Sequence, residues 1–258
     1  MLTGLHILLA EDNPTNQMVA VQMLESLNAQ VTLAVDGAEA LEKLQEQPYD
    51  IALIDIEMPR ISGIDLIQRL RSGDAPLRDM PLIALTAYVM REHRAAIDEA
   101  GADGIIAKPI LSIDQFGEEI LMHAKKRAST DGLAASRPAV NRDENGATID
   151  QEIYTRLISA FDQSGRAELC EKVCADIESA RNSVAEVAKA DDYSALCGGT
   201  HILISVAGAI GATKLQKLAQ CLNSAGHAAD SDQIGIKGPE LVAEADNVLD
   251  YVRGSLEE

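Results

Sequence analysis

Five short apolar runs set the pattern of the first half of the chain: Leu5–Ala10, Gln30–Val35, Ile51–Asp55, Pro81–Thr86 and Gly104–Ala107. Val, Ile and Leu fill them without the alternation of a one-sided sheet, as expected of strands buried on both faces. Between them, apolar residues recur at helical spacing over Thr15–Leu27, Ala38–Glu46, Ile64–Arg71, Arg91–Ala100 and Ser112–Lys126. Five βα units in succession, joined by right-handed crossovers, predict a doubly wound parallel sheet. Its ligand crevice would lie beyond the carboxyl ends of the strands.

The pattern lapses between Lys125 and Thr148 into Ala, Ser, Gly, Asn and charged residues. A chain of 258 residues is comfortable for two domains, so residues 1–125 read as an α/β domain, 126–147 as a linker and 148–258 as an all-α domain. In that last part the apolar positions recur at helical spacing: Ile149, Ile153 and Leu157; Leu169, Val173 and Ile177; Leu196, Leu203 and Ile210; Leu215, Leu218 and Leu222; Leu241, Ala245 and Leu249. Four or five helices packed as an antiparallel bundle are expected, with breaks at Ser164-Gly165, Ala225-Gly226 and Gly238-Pro239.

Charge narrows the function. The formal net charge is −19 and both halves are acidic, with no basic stripe to offset it. Nucleic acid and anionic lipid would be repelled, so a DNA-binding output domain is not expected. No apolar run approaches a membrane span, and Met1–Ala10 lacks a basic leader and a small-residue cleavage site, so no membrane insertion and a cytoplasmic location are expected. Cys170, Cys174, Cys197 and Cys221 all fall in the second half and read as buried reduced thiols.

Polar residues cluster where the sheet topology puts a site. Glu11 and Asp12 follow the first strand, Asp55 ends the third, Thr86 ends the fourth, and Lys108 follows the fifth. One carboxylate after a strand is ordinarily a solvated turn residue; five complementary groups at the rim of one crevice are harder to dismiss. The segments Leu9-Ala10-Glu11-Asp12-Asn13, Asp55-Ile56-Glu57-Met58-Pro59 with Gly63, Leu85-Thr86-Ala87 and Ala107-Lys108-Pro109 resemble response-regulator receiver domains, over about residues 5 to 125. In particular they resemble the receivers appended to hybrid histidine kinases.

The resemblance implies a flavodoxin-like (βα)5 fold and Mg²⁺ bound by Asp12, Asp55 and the backbone carbonyl of Glu57, with Glu11 acting directly or through water. It further implies that Asp55 is the nucleophile toward a phosphohistidine, that Thr86 and Lys108 bind the phosphoryl oxygens, and that the peptide to Pro109 is cis. The residue types suit that chemistry, because crowded carboxylates repel one another and a hard dication holds them together. Ile105 departs from the family, in which an aromatic residue commonly stands three before the Lys. Tyr88, two after Thr86, is the alternative group to affect access or report activation.

Among His6, His93, His123, His201 and His227, His201 stands out. The segment Asp191–Leu203, followed by Gly208-Ala209-Ile210-Gly211-Ala212, resembles the histidine phosphotransfer (HPt) domain, a helical bundle with a phosphorylatable His mid-helix. On a helical wheel His201 lies about 160° from Leu203, so the stripe Leu196, Leu203 and Ile210 would pack and the imidazole point out. Ile204 takes the place of the family's Lys, and Ser205 follows. Gly198 and Gly199 are each costly mid-helix, by about 1 kcal/mol relative to Ala, and either the close approach of a partner or loose packing would account for them.

These readings predict a two-component phosphorelay protein that accepts a phosphoryl group on Asp55 in a Mg²⁺-dependent step and relays it through His201. It would be a phosphoryl-transfer intermediate rather than a stand-alone kinase, with an upstream histidine kinase and a downstream receiver or HPt protein as partners. The alternative is a phosphorylation-controlled receiver whose helical domain is a non-catalytic interaction or dimerisation module. An enzymatic second half, for example a phosphatase, has no nucleophile elbow or phosphate loop to support it.

Overall fold

The computed structural model describes residues 1–86, 91–108, 110, 112–126, 148–187 and 193–255, which form two compact units. Ala87, Tyr88, Pro109, Asp191, Asp192 and the segment 126–147 apart from Lys126 lie outside the described residues.

The order in the first half is β1 (His6–Ala10), α1 (Pro14–Ser26), β2 (Gln30–Ala34), α2 (Gly37–Glu46), β3 (Ile51–Asp55), α3 (Gly63–Ser72), a 3-10 turn, β4 (Leu82–Thr86), α4 (Arg91–Ala100), β5 (Gly104–Ala107) and α5 (Ile113–Lys126). All pairings are parallel and the spatial order is β2-β1-β3-β4-β5. The order reverses beside β1, and that switch point opens a crevice past the carboxyl ends of β1 and β3. Burial on both faces holds for the central strands, where Ile7–Ala10, Ile51–Ile54 and Leu82–Ala84 are fully buried. The edge strands β2 and β5 are only partly covered, since each has one neighbour instead of two.

Helix ends follow local chemistry. Asp36 Oδ1 accepts the N–H groups of Ala38 at 2.8 Å and Glu39 at 3.0 Å and so caps α2. Ser62 Oγ accepts the Asp65 N–H and caps α3, whose Leu66, Ile67 and Leu70 fill the core. At the far end of α3, the Arg71 guanidinium donates to the carbonyls of Gly101, Arg78 and Met80 and to Asp103 Oδ2. One planar fork thereby ties together the loops that flank β4.

The second unit contains α6 (Gln151–Ser159), α7 (Gln163–Val187), α8 (Tyr193–Ala209), α9 (Thr213–His227) and α10 (Ser231–Gly254). α7 packs on α8, α8 on α9, α9 on α10 and α10 back on α7, which closes a four-helix ring, while α6 lies against α8. The apolar stripes read from the sequence line its core: Leu169, Val173 and Ile177, Leu196 and Leu203, Leu215 and Leu222, Leu241 and Ala245 are all buried. Gly211, at φ +77°, ends α8 in the left-handed conformation that lets Ala212 N–H reach the Ala207 carbonyl at 2.7 Å. Asn223 of α9 is buried and donates through Nδ2 to the Cys197 carbonyl and Thr200 Oγ1 of α8, at 3.0 and 2.9 Å.

One expected break falls at a helix end, one at a helix start and one inside a helix. Ser164-Gly165 lies in the first turn of α7, because Asp162 Oδ1 accepts the Gly165 N–H at 2.8 Å and starts the helix earlier. Ala225-Gly226 lies in the last turn of α9, which ends at His227 as the expected break requires, and a Cβ on Gly226 would meet Cys197 Sγ at 2.8 Å. Gly238-Pro239 lies inside α10, which runs on through Leu241, Ala245, Val248, Leu249 and Val252, all buried. That later packing outweighs the helix-breaking tendency of one proline. Of the four thiols only Cys170 is buried, and Cys221 is exposed. Among the described residues no helix is long and apolar enough to cross a membrane.

Candidate functional site

Sheet register alone assembles the acidic end of the crevice. Ala10 pairs with Ile54, so Glu11 and Asp12 leave β1 level with Asp55 at the end of β3. Asp55 pairs in turn with Leu85, and Thr86 with Ala107, which carries Thr86 and Lys108 to the same rim. The Lys108 N–H continues the ladder by donating to the Thr86 carbonyl at 2.8 Å.

The side chains converge. Lys108 Nζ lies 2.5 Å from Glu11 Oε2 and 2.7 Å from Asp55 Oδ2, and Asp55 Oδ1 accepts the Glu57 N–H at 3.3 Å. All three charged side chains are shielded: Lys108 is 7% exposed, Glu11 and Asp55 each 2%. Burial by itself lowers the pKa of the Lys108 ammonium, but the carboxylates of Glu11 and Asp55 outweigh it and hold that pKa well above the ordinary lysine range. Thr86 is buried at the end of β4.

Glu11, Asp12 and Asp55 each bring a carboxylate oxygen to within 4.8 Å of the others. A set of hard, anionic oxygen donors at this spacing fits a hard dication such as Mg²⁺. The β3–α3 loop is drawn tightly under the site. Gly63 N–H donates to the Ile56 carbonyl at 2.9 Å, and a Cβ on Gly63 would stand 2.1 Å from the Asp55 carbonyl oxygen. Sequence reading missed three residues here: Arg60 within this loop, and Asp36 and Gly37, which lie against it at the start of α2. An Asp-Gly pair after a strand and one Arg between Pro59 and Gly63 are too common in sequence to signal a contact between them.

The positions read as one crevice, Glu11, Asp12, Asp55, Glu57, Thr86 and Lys108, are thus adjacent. Ile105, where the family commonly has an aromatic residue, packs against the hydrophobic core under the sheet. His201 belongs to the other unit, mid-way along α8, and is partly buried, with Leu196, Leu203 and Ile210 buried on the opposite stripe. Ile204, which takes the place of the family's Lys, is fully buried. Gly199 serves packing within the bundle, since a Cβ there would lie 3.2 Å from Ser183 Cβ and 3.3 Å from the Ala180 carbonyl oxygen of α7.

A family model, response regulator receiver domain, matches residues 7–120. The aerobic respiration control sensor protein ArcB of Escherichia coli K12 is 30% identical over 264 residues, an alignment covering 100% of this chain and 31% of ArcB. Sensor histidine kinase GacS of Pseudomonas protegens is 26% identical over 76% of this chain and 22% of its own length. The chain therefore spans less than a third of either relative. The polar-differentiation response regulator DivK of Brucella anthropi is 32% identical over 44% of this chain and 91% of DivK. Among solved structures, the receiver domain of sensor histidine kinase PA1611 from Pseudomonas aeruginosa PAO1, described with a magnesium ion coordinated in its active site cleft, is 34% identical, covering 47% of this chain and 98% of that one with a TM-score of 0.45. Through residues 7–120 this chain belongs to the response regulator receiver family, the receiver domains of two-component phosphorelay systems, and is homologous to the receivers of hybrid histidine kinases.

Proposed function

We propose that the receiver accepts a phosphoryl group on Asp55 from a phosphohistidine of an upstream histidine kinase and that the helical unit passes it on through His201. The observation that carries the first step is the meeting of three carboxylates within 4.8 Å beside a buried ammonium 2.7 Å from Asp55. Glu11, Asp12 and Asp55, with the backbone carbonyl of Glu57, would hold the dication. Bound Mg²⁺ supplies positive charge that quenches the repulsion among the carboxylates and the incoming phosphoryl oxygens.

An oxygen of the Asp55 carboxylate forms the new P–O bond as the P–N bond of the donor breaks, and the leaving imidazole keeps the electron pair. Lys108, already on Asp55 Oδ2, exchanges a carboxylate oxygen for a phosphoryl oxygen, and the Thr86 hydroxyl donates to a second. In the relay step an imidazole nitrogen of His201 attacks the acyl phosphate of a receiver, the acyl C–O–P linkage opening at phosphorus to return the carboxylate. The downstream partner is then a receiver or an HPt protein. A cytoplasmic setting is part of the same reading, and the absence of nucleic-acid contact rests on the acidity of both halves.

One observation favours a second reading of the helical unit. Ile204 stands where an assisting Lys would, and it is buried, so no cation follows His201 by one turn. On that reading the bundle is a binding module controlled by Asp55. Intact-mass measurement after incubation with a phosphodonor and Mg²⁺ separates the cases. An alkali-labile adduct lost in Asp55→Asn, together with an alkali-stable one lost in His201→Gln, supports the relay. An alkali-labile adduct alone, with a His201→Ala variant that signals normally, supports the binding module. No adduct that depends on Asp55 rejects both.

A further inference from the structure

Arg60 has φ +67°, the left-handed conformation that glycine favours and long side chains rarely adopt. It sits in the loop from Ile56 to Ser62 that joins Asp55 to α3 and carries Glu57. Two glycines let this loop lie close to its surroundings. Gly63 has no room for a Cβ under the Asp55 carbonyl, and a Cβ on Gly37 at the start of α2 would fall 2.5 Å from the Ile61 carbonyl oxygen. Between those two close approaches the Arg60 guanidinium pairs with the carboxylate of Asp36, whose side chain is only 4% exposed. Asp36 is committed on both sides, since its Oδ1 caps α2 while its Oδ2 meets Arg60.

A glycine at position 60 would take this backbone conformation without strain. The chain instead places there an arginine whose charge answers a buried acid. We infer that the Arg60–Asp36 pair is a clamp that holds the Glu57-bearing loop against the N-terminus of α2 and so presets the dication crevice before the ion arrives. Both are positioning residues; neither touches the reacting atoms. The inference rests on the reading of Glu11, Asp12, Asp55 and Glu57 as the dication site.

The sign of the effect on Mg²⁺ affinity separates a clamp from a mere contribution to the local field. Arg60 is a cation near an acidic site, so by Coulomb's law alone its removal should tighten Mg²⁺ binding or leave it unchanged. A clamp predicts the reverse. Arg60→Asn tolerates positive φ, and Asp36→Asn retains the helix cap, so each deletes the ion pair with little else. We expect calorimetric titration of the full chain with Mg²⁺, at fixed ionic strength, to give about tenfold weaker binding for either variant, the low end of what supporting residues contribute at metal sites. The double variant should be no weaker than either single one. In the metal-free protein, hydrogen exchange at the Ile61 and Gly63 amides, bonded to the Pro59 and Ile56 carbonyls, should accelerate in both. Tighter or unchanged Mg²⁺ binding by Arg60→Asn, beside a wild type that binds Mg²⁺ normally, overturns the clamp alone. A wild type that binds no Mg²⁺ overturns the dication site and the clamp with it.

Discussion

Gly63 and Asp55 approach more closely than any side chain at position 63 would permit: a Cβ there would lie 2.1 Å from the Asp55 carbonyl oxygen and 2.7 Å from Ile56 Cα. The contact is backbone against backbone, so no flexible side chain can swing aside. Gly63→Ala must therefore push the end of β3 or unseat α3. We expect a loss of about 3 kcal/mol, the upper end of overpacking costs, and weaker Mg²⁺ binding, because Asp55 is carried on the displaced peptide. Denaturant unfolding and metal titration check the two effects, and a variant of wild-type stability would contradict the contact.

Lys108 bridges Glu11 and Asp55, at 2.5 and 2.7 Å, and all three side chains are nearly inaccessible. Lys108→Met leaves two buried carboxylates facing each other. Breaking such an arrangement costs about 3–5 kcal/mol. A dication relieves the same repulsion, so Mg²⁺ should raise the melting temperature of Lys108→Met more than that of wild type. Equal shifts would mean that ammonium and ion do not compete for the same oxygens.

How much of this was legible in sequence depends on the range of the interaction that decides each feature. The central strands were legible because burial on both faces leaves uninterrupted Val, Ile and Leu, and the crevice followed from topology, since residues just past β1, β3, β4 and β5 must meet at one rim. The roles of Gly63, Gly37 and Arg60 were not, because each is defined by an atom on another segment: the Asp55 carbonyl, the Ile61 carbonyl and the Asp36 carboxylate. In the helical unit, local punctuation misled. Gly238-Pro239 reads as a stop, but the run of buried residues from Leu241 to Val252 carries α10 through it. Ser164-Gly165 reads as an end, but the cap at Asp162 makes it a beginning.

Neighbouring glycines in α8 should respond in opposite directions. A Cβ on Gly198 would meet nothing within 4 Å, so Gly198→Ala gains helix propensity, about 1 kcal/mol, without a clash. Gly199 faces Ser183 and Ala180 of α7 at 3.2 and 3.3 Å, and Gly199→Ala must spread the two helices. The overpacking cost of about 1–3 kcal/mol exceeds the propensity gain, so this variant should be less stable than wild type. Thermal unfolding of the two variants side by side tests the α7–α8 contact, and two stabilised variants would disprove it.

Tyr154 supplies a pH signature for the helical unit. Its hydroxyl lies 2.6 Å from Ser255 Oγ and 3.7 Å from Cys170 Sγ, and its ring meets Tyr251 edge-on at 5.5 Å. Burial raises its pKa well above the ordinary tyrosine range; the Ser255 hydrogen bond opposes this, and the nearby thiol adds to the rise. The unfolded chain releases this proton near pH 10, whereas the folded chain retains it. The contribution to stability is therefore complete below about pH 10 and is lost as pH climbs toward the higher folded value. With five tyrosines and no tryptophan in the chain, tyrosinate absorbance is readable directly. One phenol should ionise after the rest and together with the loss of helical circular dichroism, and Tyr154→Phe should remove that late step. If every phenol ionises while the helical signal is intact, Tyr154 is not shielded as described.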